Sequence, residues 1–386
     1  MLETRWLRWI GTGVVAVVAV ASVTSVAVGA GPRHWTPASC AGDAGVRAAA
    51  ARTAEPASLG DLAREAWLRL DPRLDRAGAL AGQRLAVGLD GERSSRIMDL
   101  PPESFAAGPF GRIVLVGSDD GVASRLRAID VAGQCSWDIA QETAVVRRAT
   151  IDPSGTTIYE MRVDRATRAD LGIWTRPLDG TRAAERFLEP IGADERFGPT
   201  FSTEFAWAHS GTALAVQSCG EVACRTRVVD PEQGTLRALA EPDLGALVGL
   251  DGGRVVTYAA CPGLPCPIVS TDLSTGARSV LADQAANAVL VATPDGPRIV
   301  HESFAGAAIV LTSVTLDGSS TGDLGPVPEG LRLHATPDIA GSSTRVGPGW
   351  VLLSPDGRLP DNGPNARTQL RHVTDGTTVQ LDEVSR

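Results

Sequence analysis

Short turns built around an aspartate recur along most of the chain, and their spacing limits the folds that the chain can adopt. Each turn follows an apolar run of strand length, and the aspartates are Asp130, Asp179, Asp230, Asp272, Asp317 and Asp375. A second series of turns, which includes the P-D-G sequences of residues 294–296 and 355–357, precedes them. Short strands separated by such turns predict an all-β protein made of four-stranded antiparallel units, each about 40–50 residues long.

The second series of turns also resembles a known repeat. Its fullest copy is WAHSGTALA at residues 207–215, and SPDG at residues 354–357 keeps the turn itself. These segments resemble the W-S-P-D-G repeat of the TolB-like, WD40-like β-propellers, over about residues 82–386. The resemblance implies a β-propeller. Six aspartate turns predict six blades, with seven as the alternative, since residues 83–90 form either a strand that closes the ring against the last blade or part of a seventh.

Four of the six cysteines form two small loops with the same spacing. Cys219 and Cys224 are five residues apart, as are Cys261 and Cys266, and the two loops are 42 residues apart. The repeat predicts equivalent disulfides between the second and third strands of neighbouring blades. Cys40 and Cys135 remain as a third pair, although PASC at residues 37–40 also resembles a lipoprotein cleavage site. No histidine lies within either loop, so structural disulfides of an exported protein are favoured over zinc.

The N-terminal segment predicts export. Arg5 and Arg8 precede an apolar run over residues 9–30, which is long enough to span a bilayer as a helix. Residues 28–32, VGAGP, also resemble a signal-peptidase site. Residues 1–31 are therefore either a signal peptide or a membrane anchor, and the remaining chain is predicted to be extracytoplasmic, in a bacterial cell envelope.

Residues 32–81 are predicted to be a linker that contains one short helix. Leu59, Leu62, Ala66 and Leu70 recur at helical spacing over residues 58–70, and Asp71-Pro72 follows as a stop signal. The propeller itself is predicted over residues 82–386.

The chain carries no recognised catalytic motif. Its five histidines have no H-x-x-x-H spacing, so neither a metal site nor a cofactor is predicted. Ser320 lies in a G-x-S-x-G sequence, but inside a hairpin turn and not a strand-to-helix elbow. Calcium at Asp119-Asp120 lacks the D-x-D-x-D-G spacing of a calcium loop. The net charge of −9 offers no basic surface for nucleic acid.

The loops between second and third strands share the face that carries the cysteine loops, and they are the candidate binding surface. The candidate residues are Asp119, Asp120, Asp164, Arg165, Arg168, Asp170, Glu221, His301, Glu302, Phe304, Asp361 and Asn362. The sequence thus predicts a non-catalytic propeller that binds a protein or a cell-envelope component through this face or through its channel. The alternative is a hydrolase- or lactonase-like enzyme with a metal in the channel.

Overall fold

The fold was analysed on a computed structural model of the full chain. The structure describes residues 33–40, 66–76, 80–89, 96–110, 112–190, 202–208, 213–219, 224–232, 234–239, 244–251, 253–259, 261, 265–306, 308–333, 349–355, 369–374 and 376–380. The predicted signal peptide or anchor of residues 1–31 lies outside these ranges.

The first two sheets each take one strand from the segment before residue 41. The first sheet consists of β1 (Arg33–His34), β3 (Ala66–Leu74), β4 (Leu80–Leu89) and β5 (Arg96–Leu100), in the order β1-β5-β4-β3. The second consists of β2 (Ala38–Ser39), β6 (Ser104–Phe110), β7 (Ile113–Asp119), β8 (Ser124–Asp130) and β9 (Cys135–Glu142), in the order β2-β9-β8-β7-β6.

Five further sheets follow, and each is an antiparallel meander of four consecutive strands. The third sheet is β10 (Val145–Ile151), β11 (Thr157–Val163), β12 (Asp170–Pro177) and β13 (Glu185–Leu188). The fourth is β14 (Ser202–Trp207), β15 (Leu214–Cys219), β16 (Cys224–Asp230) and β17 (Thr235–Leu239). The fifth is β18 (Leu244–Asp251), β19 (Arg254–Ala259), β20 (Cys266–Asp272) and β21 (Arg278–Ala285).

The last two sheets have the same order. The sixth is β22 (Ala288–Val291), β23 (Arg298–Ala305), β24 (Ala308–Thr315) and β25 (Thr321–Pro326). The seventh is β26 (Leu331–Leu333), β27 (Trp350–Pro355), β28 (Gln369–His372) and β29 (Thr378–Gln380). Successive four-stranded meanders packed face to face are the arrangement of a β-propeller, as predicted.

Apolar side chains fill the space between successive sheets. In β7, Val114 packs towards the first sheet, whereas its neighbours Ile113 and Leu115 pack towards the third. Further clusters join each following pair of sheets through to the seventh. Side chains alternate between the two faces of a strand. The continuous apolar run IVLV therefore fits a sheet that is covered on both sides.

The meander divides the connections between two faces. We call the side that carries the second-to-third loops and the connections between sheets the upper face; the other turns form the lower face. Asp119 ends β7 at the upper face, where its backbone N–H donates to the carbonyl of Glu103, just before β6. Asp130 ends β8 at the lower face, opposite Ile113. Asp179, Asp230, Asp272 and Asp317 occupy the corresponding third-to-fourth turns of the next four sheets, as the sequence series predicted.

The predicted number of six blades is wrong, because the described strands form seven sheets. The outermost strand of the first sheet, β1, comes from residues 33–34 and pairs parallel to β5. The β4–β5 connection, which contains Asp90 and Gly91, lies outside the described residues. Residues 83–89 belong to β4 of this first sheet and do not seal the last one.

The predicted helix of residues 58–70 is also wrong where the structure describes it, since Ala66–Leu74 is strand β3. Leu68 and Leu70, two residues apart, are both buried against the second sheet. This spacing satisfies a strand, and the pairing of β3 with β4 continues through Asp71 and Pro72. Residues 58–65 lie outside the described ranges. No helix that could cross a membrane occurs among the residues described.

Two disulfides match the predicted pairs. Cys40 is bonded to Cys135, 95 residues further on, and Cys261 is bonded to Cys266. Cys40 is thus a disulfide partner and not a lipid attachment site. Cys219 and Cys224 face each other as register partners at the upper ends of β15 and β16, and their bond remains a prediction. Both cysteine loops lie between second and third strands of consecutive sheets, as the 42-residue spacing predicted.

Removing the Cys40–Cys135 bond should destabilise the protein more than removing Cys261–Cys266. Loop-closure entropy is about 4–5 kcal/mol for a loop of roughly 95 residues and about 2 kcal/mol for six residues. We expect C40S/C135S to lower the urea midpoint further than C261S/C266S in equilibrium unfolding of the full chain. Equal midpoints for the two variants would contradict this assignment.

Candidate functional site

The structure brings two of the predicted upper-face residues together. Arg165, in the β11–β12 loop, donates from both Nη atoms to the carboxylate of Asp119 at the end of β7, with both distances 2.7 Å. The Asp119 side chain is only 9% exposed. Burial raises the pKa of Asp119, but hydrogen bonds from Arg165 and Ser124 outweigh it, and the pKa lies below its ordinary value. This bidentate pair joins the upper loops of the second and third sheets.

The other acidic candidates on these loops bind their own backbone. Asp120 accepts from the N–H groups of Val122 and Ala123, and these bonds lower its pKa. Asp164 likewise accepts from the N–H groups of Ala166 and Thr167. These side chains shape their loops.

Two more candidates in the β11–β12 segment also have local roles. Asp170 is the buried first residue of β12 and accepts from the N–H of Gly172, so it is not the loop residue that was predicted. Arg168 lies in the loop at a positive φ of 62°.

His301 and Glu302 were predicted to be loop residues, but both lie inside strand β23 and are buried. Glu302 accepts from the backbone N–H of Leu333 at 2.5 Å and from the side-chain amide of Asn287 at 2.8 Å. It therefore links the sixth sheet to the seventh. Phe304, near the upper end of the same strand, is 46% exposed.

Polar links of this kind recur between sheets and were missed in the sequence. Gln217 on β15 bonds the backbone of Gly245 and Leu247 at the start of β18. Gln83 on β4 donates to the carbonyls of Pro102 and Ser104 beside β6. The signal in the sequence is positional: Gln217 and Glu302 are 85 residues apart, and each lies near the end of the second strand of its sheet. These groups fix the upper end of each following first strand.

A buried charged cluster between the second and third sheets was also missed. Glu160 and Arg162 on β11 pair at 2.7 Å, Arg162 also pairs with Glu142 of β9 at 3.1 Å, and Arg176 of β12 contacts both glutamates. Arg162 also lies over the ring of Trp174. Two arginines and two glutamates balance in charge, so the cluster leaves no net charge between the two sheets.

The exposed large apolar side chains are unevenly placed. Four are found among the described residues: Leu80, Val122, Val280 and Phe304. Leu80 starts β4 at the upper end of the first sheet, because β5 ends beside Ser104 of β6 at the upper face and β4 runs antiparallel to β5. Val122 is in the upper β7–β8 loop, and Phe304 is near the upper end of β23. Val280 lies on β21, the outer strand of the fifth sheet. Three of the four therefore belong to the upper face.

The lower turns are internally satisfied in comparison. Asp272 accepts from Ser274 and Thr275, which lowers its pKa to about 2. Asp317 accepts from Ser319 in the same manner, and Ser320 of the G-x-S-x-G sequence closes this hairpin turn between two strands. The recurrent aspartates thus build their own turns, as Asp120 and Asp164 do on the upper face.

Glu221, Asp361 and Asn362, the remaining candidates, lie outside the described residues. Within the part that the structure describes, no group of three or more His, Cys, Asp or Glu side chains could hold a metal ion.

The fold resembles that of several solved β-propellers. Prolyl endopeptidases align with 88% of this chain at 14% identity and a TM-score of 0.54, and the chain spans 52% of their length. The β-propeller domain of the Trilobed protease from Pyrococcus furiosus aligns with 83% of this chain, and 93% of that domain, at 11% identity and a TM-score of 0.52. TolB from Acinetobacter baumannii aligns with 68% of this chain at 14% identity and a TM-score of 0.45, and the chain spans 64% of it.

No protein-family model and no curated protein sequence matches the chain. At these identities the solved structures show the fold alone. The chain is a β-propeller, and its function must be argued from its own surface.

The Asp119–Arg165 pair should couple two sheets measurably. In a double-mutant cycle with Asp119→Asn and Arg165→Gln, we expect about 1 kcal/mol of coupling in the free energy of unfolding, because the pair is bidentate and partly buried. The exposed Arg127–Asp138 pair is the matched control, with coupling of about 0–0.5 kcal/mol. Equal coupling in both cycles would show that the upper pair does not lock the loops.

His301 should make the fold sensitive to mild acid. Its Nδ1 has no hydrogen-bond partner among the described residues, and burial lowers its pKa below 6.5. Below that pH, His301 is protonated in the unfolded chain but remains neutral in the folded chain. The free energy of unfolding therefore decreases as the pH decreases. We expect His301→Leu to reduce the loss of stability between about pH 7.5 and about pH 5.5 in urea unfolding. His34→Leu, at an exposed site, serves as the control; an unchanged slope in His301→Leu would refute this role.

Proposed function

We propose that this chain is a non-catalytic, extracytoplasmic β-propeller that binds a protein or cell-envelope component through its upper face. The observation that carries the proposal is the location of the exposed apolar side chains. Leu80, Val122 and Phe304 all belong to the upper face, and among the described residues no exposed large apolar side chain lies in a lower turn. Apolar groups at loop ends on a rigid scaffold suit contact with a partner surface.

The rigidity of this face comes from contacts between sheets. Asp119 and Arg165 join two adjacent loops, and Gln217 and Glu302 fix the strands beneath other parts of the face. A surface held in this manner loses little conformational entropy on binding. The acidic groups Asp120 and Asp164 are engaged locally, which favours apolar and backbone contacts over a charge-driven interaction.

The cysteines support the proposed location. Disulfides between Cys40 and Cys135 and between Cys261 and Cys266 are typical of oxidising compartments outside the cytoplasm. The apolar run of residues 9–30 supplies the export signal and, if it is retained, the membrane attachment.

The second candidate is a propeller enzyme with a metal in its channel. The prolyl endopeptidases with a similar fold are enzymes, so a propeller can accompany catalysis, but this similarity assigns no activity to the chain. Metal analysis of the purified full chain separates the two: stoichiometric calcium, lost on chelation together with thermal stability, would favour the enzyme.

Substitution of the exposed apolar residues tests the binding proposal. We expect V122S/F304S to weaken capture of an envelope component by about tenfold or more, because each buried apolar side chain contributes about 1.5–3 kcal/mol. The measurement is quantitative mass spectrometry of components retained by the full chain from detergent-solubilised envelopes, followed by the Kd of the purified component.

Val280→Ser is the matched control, since Val280 is equally apolar and is 57% exposed on an outer strand. An upper-face site is contradicted if V280S loses the component as readily as V122S/F304S does. It is also contradicted if both variants retain the component.

A further inference from the structure

The segment before residue 41 approaches the propeller from a defined direction. Strand β1 runs parallel to β5, with Arg33 opposite Arg96 and His34 opposite Ile97. Arg96 is the first residue of β5 and Leu100 its last. Leu100 is opposite Gln83, whose side chain bonds Ser104 at the upper end of β6. Strand β5, and hence β1, therefore runs from the lower face towards the upper face.

The apolar run ends very close to this strand. Only Gly31 and Pro32 separate Ala30, the last residue of the run, from Arg33. Three residue steps span at most about 11 Å. Because β1 runs upwards, its first residue, Arg33, lies at the lower end of the first sheet.

The attachment is fastened at more than one point. The backbone N–H of Trp35 donates to the carbonyl of Ile97, and the Trp35 ring packs against the core between the first and second sheets. Ala38 and Ser39 pair with β9, again at its lower end, and Cys40 is bonded to Cys135, the first residue of β9. We call residues 33–40 the strap. Its disulfide prevents it from peeling away from the outer edges of the two sheets.

From this geometry we propose that the strap holds the lower face of the propeller against the lipid bilayer, so that the upper face points away from the membrane. The inference deepens the proposed function, on which it rests, and it applies to the chain that retains residues 9–30 as its anchor. The partner of the lower face is the bilayer surface itself. A ligand of the upper face must then approach from the side opposite the membrane.

Two turns of the second sheet provide a matched pair of probes. The β7–β8 loop at Gly121-Val122 lies on the upper face, and the β8–β9 turn at Ala132-Gly133 lies on the lower face beside the strap disulfide. Both are exposed, and β8 alone connects them. Seven residues of strand place them about 23 Å apart.

The test uses the full chain with a short epitope inserted between Gly121 and Val122, or between Ala132 and Gly133, expressed in spheroplasts. Antibody binding is measured on intact spheroplasts and again after mild detergent solubilisation. We expect the upper epitope to bind equally in both states. Antibody binding to the lower epitope should be at least about fivefold weaker on intact spheroplasts. A bilayer within roughly 11 Å of the attachment point leaves little room for an antibody.

A longer tether provides the control. A 20-residue Gly-Ser linker inserted between Ala30 and Gly31 has a root-mean-square length of about 25 Å and should restore access to the lower epitope. The same linker inserted between Gly45 and Val46, beyond the strap, should not.

The proposal is overturned if antibody binds both epitopes equally on intact spheroplasts, or if the upper epitope is the shielded one. It is also overturned if the tether linker does not restore antibody access to the lower epitope. Recovery of the protein only in the soluble fraction would overturn it as well, since no anchor would remain. None of these outcomes depends on ligand capture, which the V122S/F304S variant tests separately.

Discussion

Apolar packing on both sides of each second strand is the constraint on which the rest of the structure depends. Neighbouring residues on one strand serve different interfaces: Val255 packs towards the fourth sheet and Val256 towards the sixth, and Ile299 and Val300 divide in the same manner. A four-stranded sheet with two apolar faces is not stable alone in water. Each sheet of the series is therefore stabilised by its neighbours, and this packing fixes the positions of the loops at either end.

Turns that are stabilised by their own residues could be predicted from the sequence, whereas contacts between distant segments could not. The aspartate turns were predictable because a carboxylate that accepts from its own turn, as Asp272 does, needs no distant partner. The first sheet was predicted only as the alternative to six blades, because its outer strand β1 comes from a segment that the composition predicts to be a linker. The helix prediction failed because Ala66 and Leu70, four residues apart, fit a helical stripe, whereas the pair that the core buries is Leu68 and Leu70, two residues apart as in a strand. Glu302 was misplaced because its partner, Leu333, is 31 residues away on the next sheet.

The two faces differ in what they carry besides their turn-forming aspartates. Aspartates of the lower turns accept hydrogen bonds from the backbone N–H groups of their own turns, and the strap covers the lower outer edges of the first two sheets. The upper face combines a cross-sheet ion pair, Asp119–Arg165, with exposed apolar side chains such as Val122 and Phe304. This asymmetry supports the two proposals that place attachment on one side of the molecule and recognition on the other. Most of the acidic candidates are engaged within their own loops.

The most direct measurement of this architecture is disulfide mapping of the exported full chain by non-reducing peptide mass spectrometry. Cross-linked peptides that join Cys40 to Cys135 and Cys261 to Cys266 are expected, because strand β2 must lie beside β9 and the β19–β20 loop must close on itself. Free thiols at these four positions, or a bond from Cys40 to any other cysteine, would contradict both the strap and the sheet order built on it.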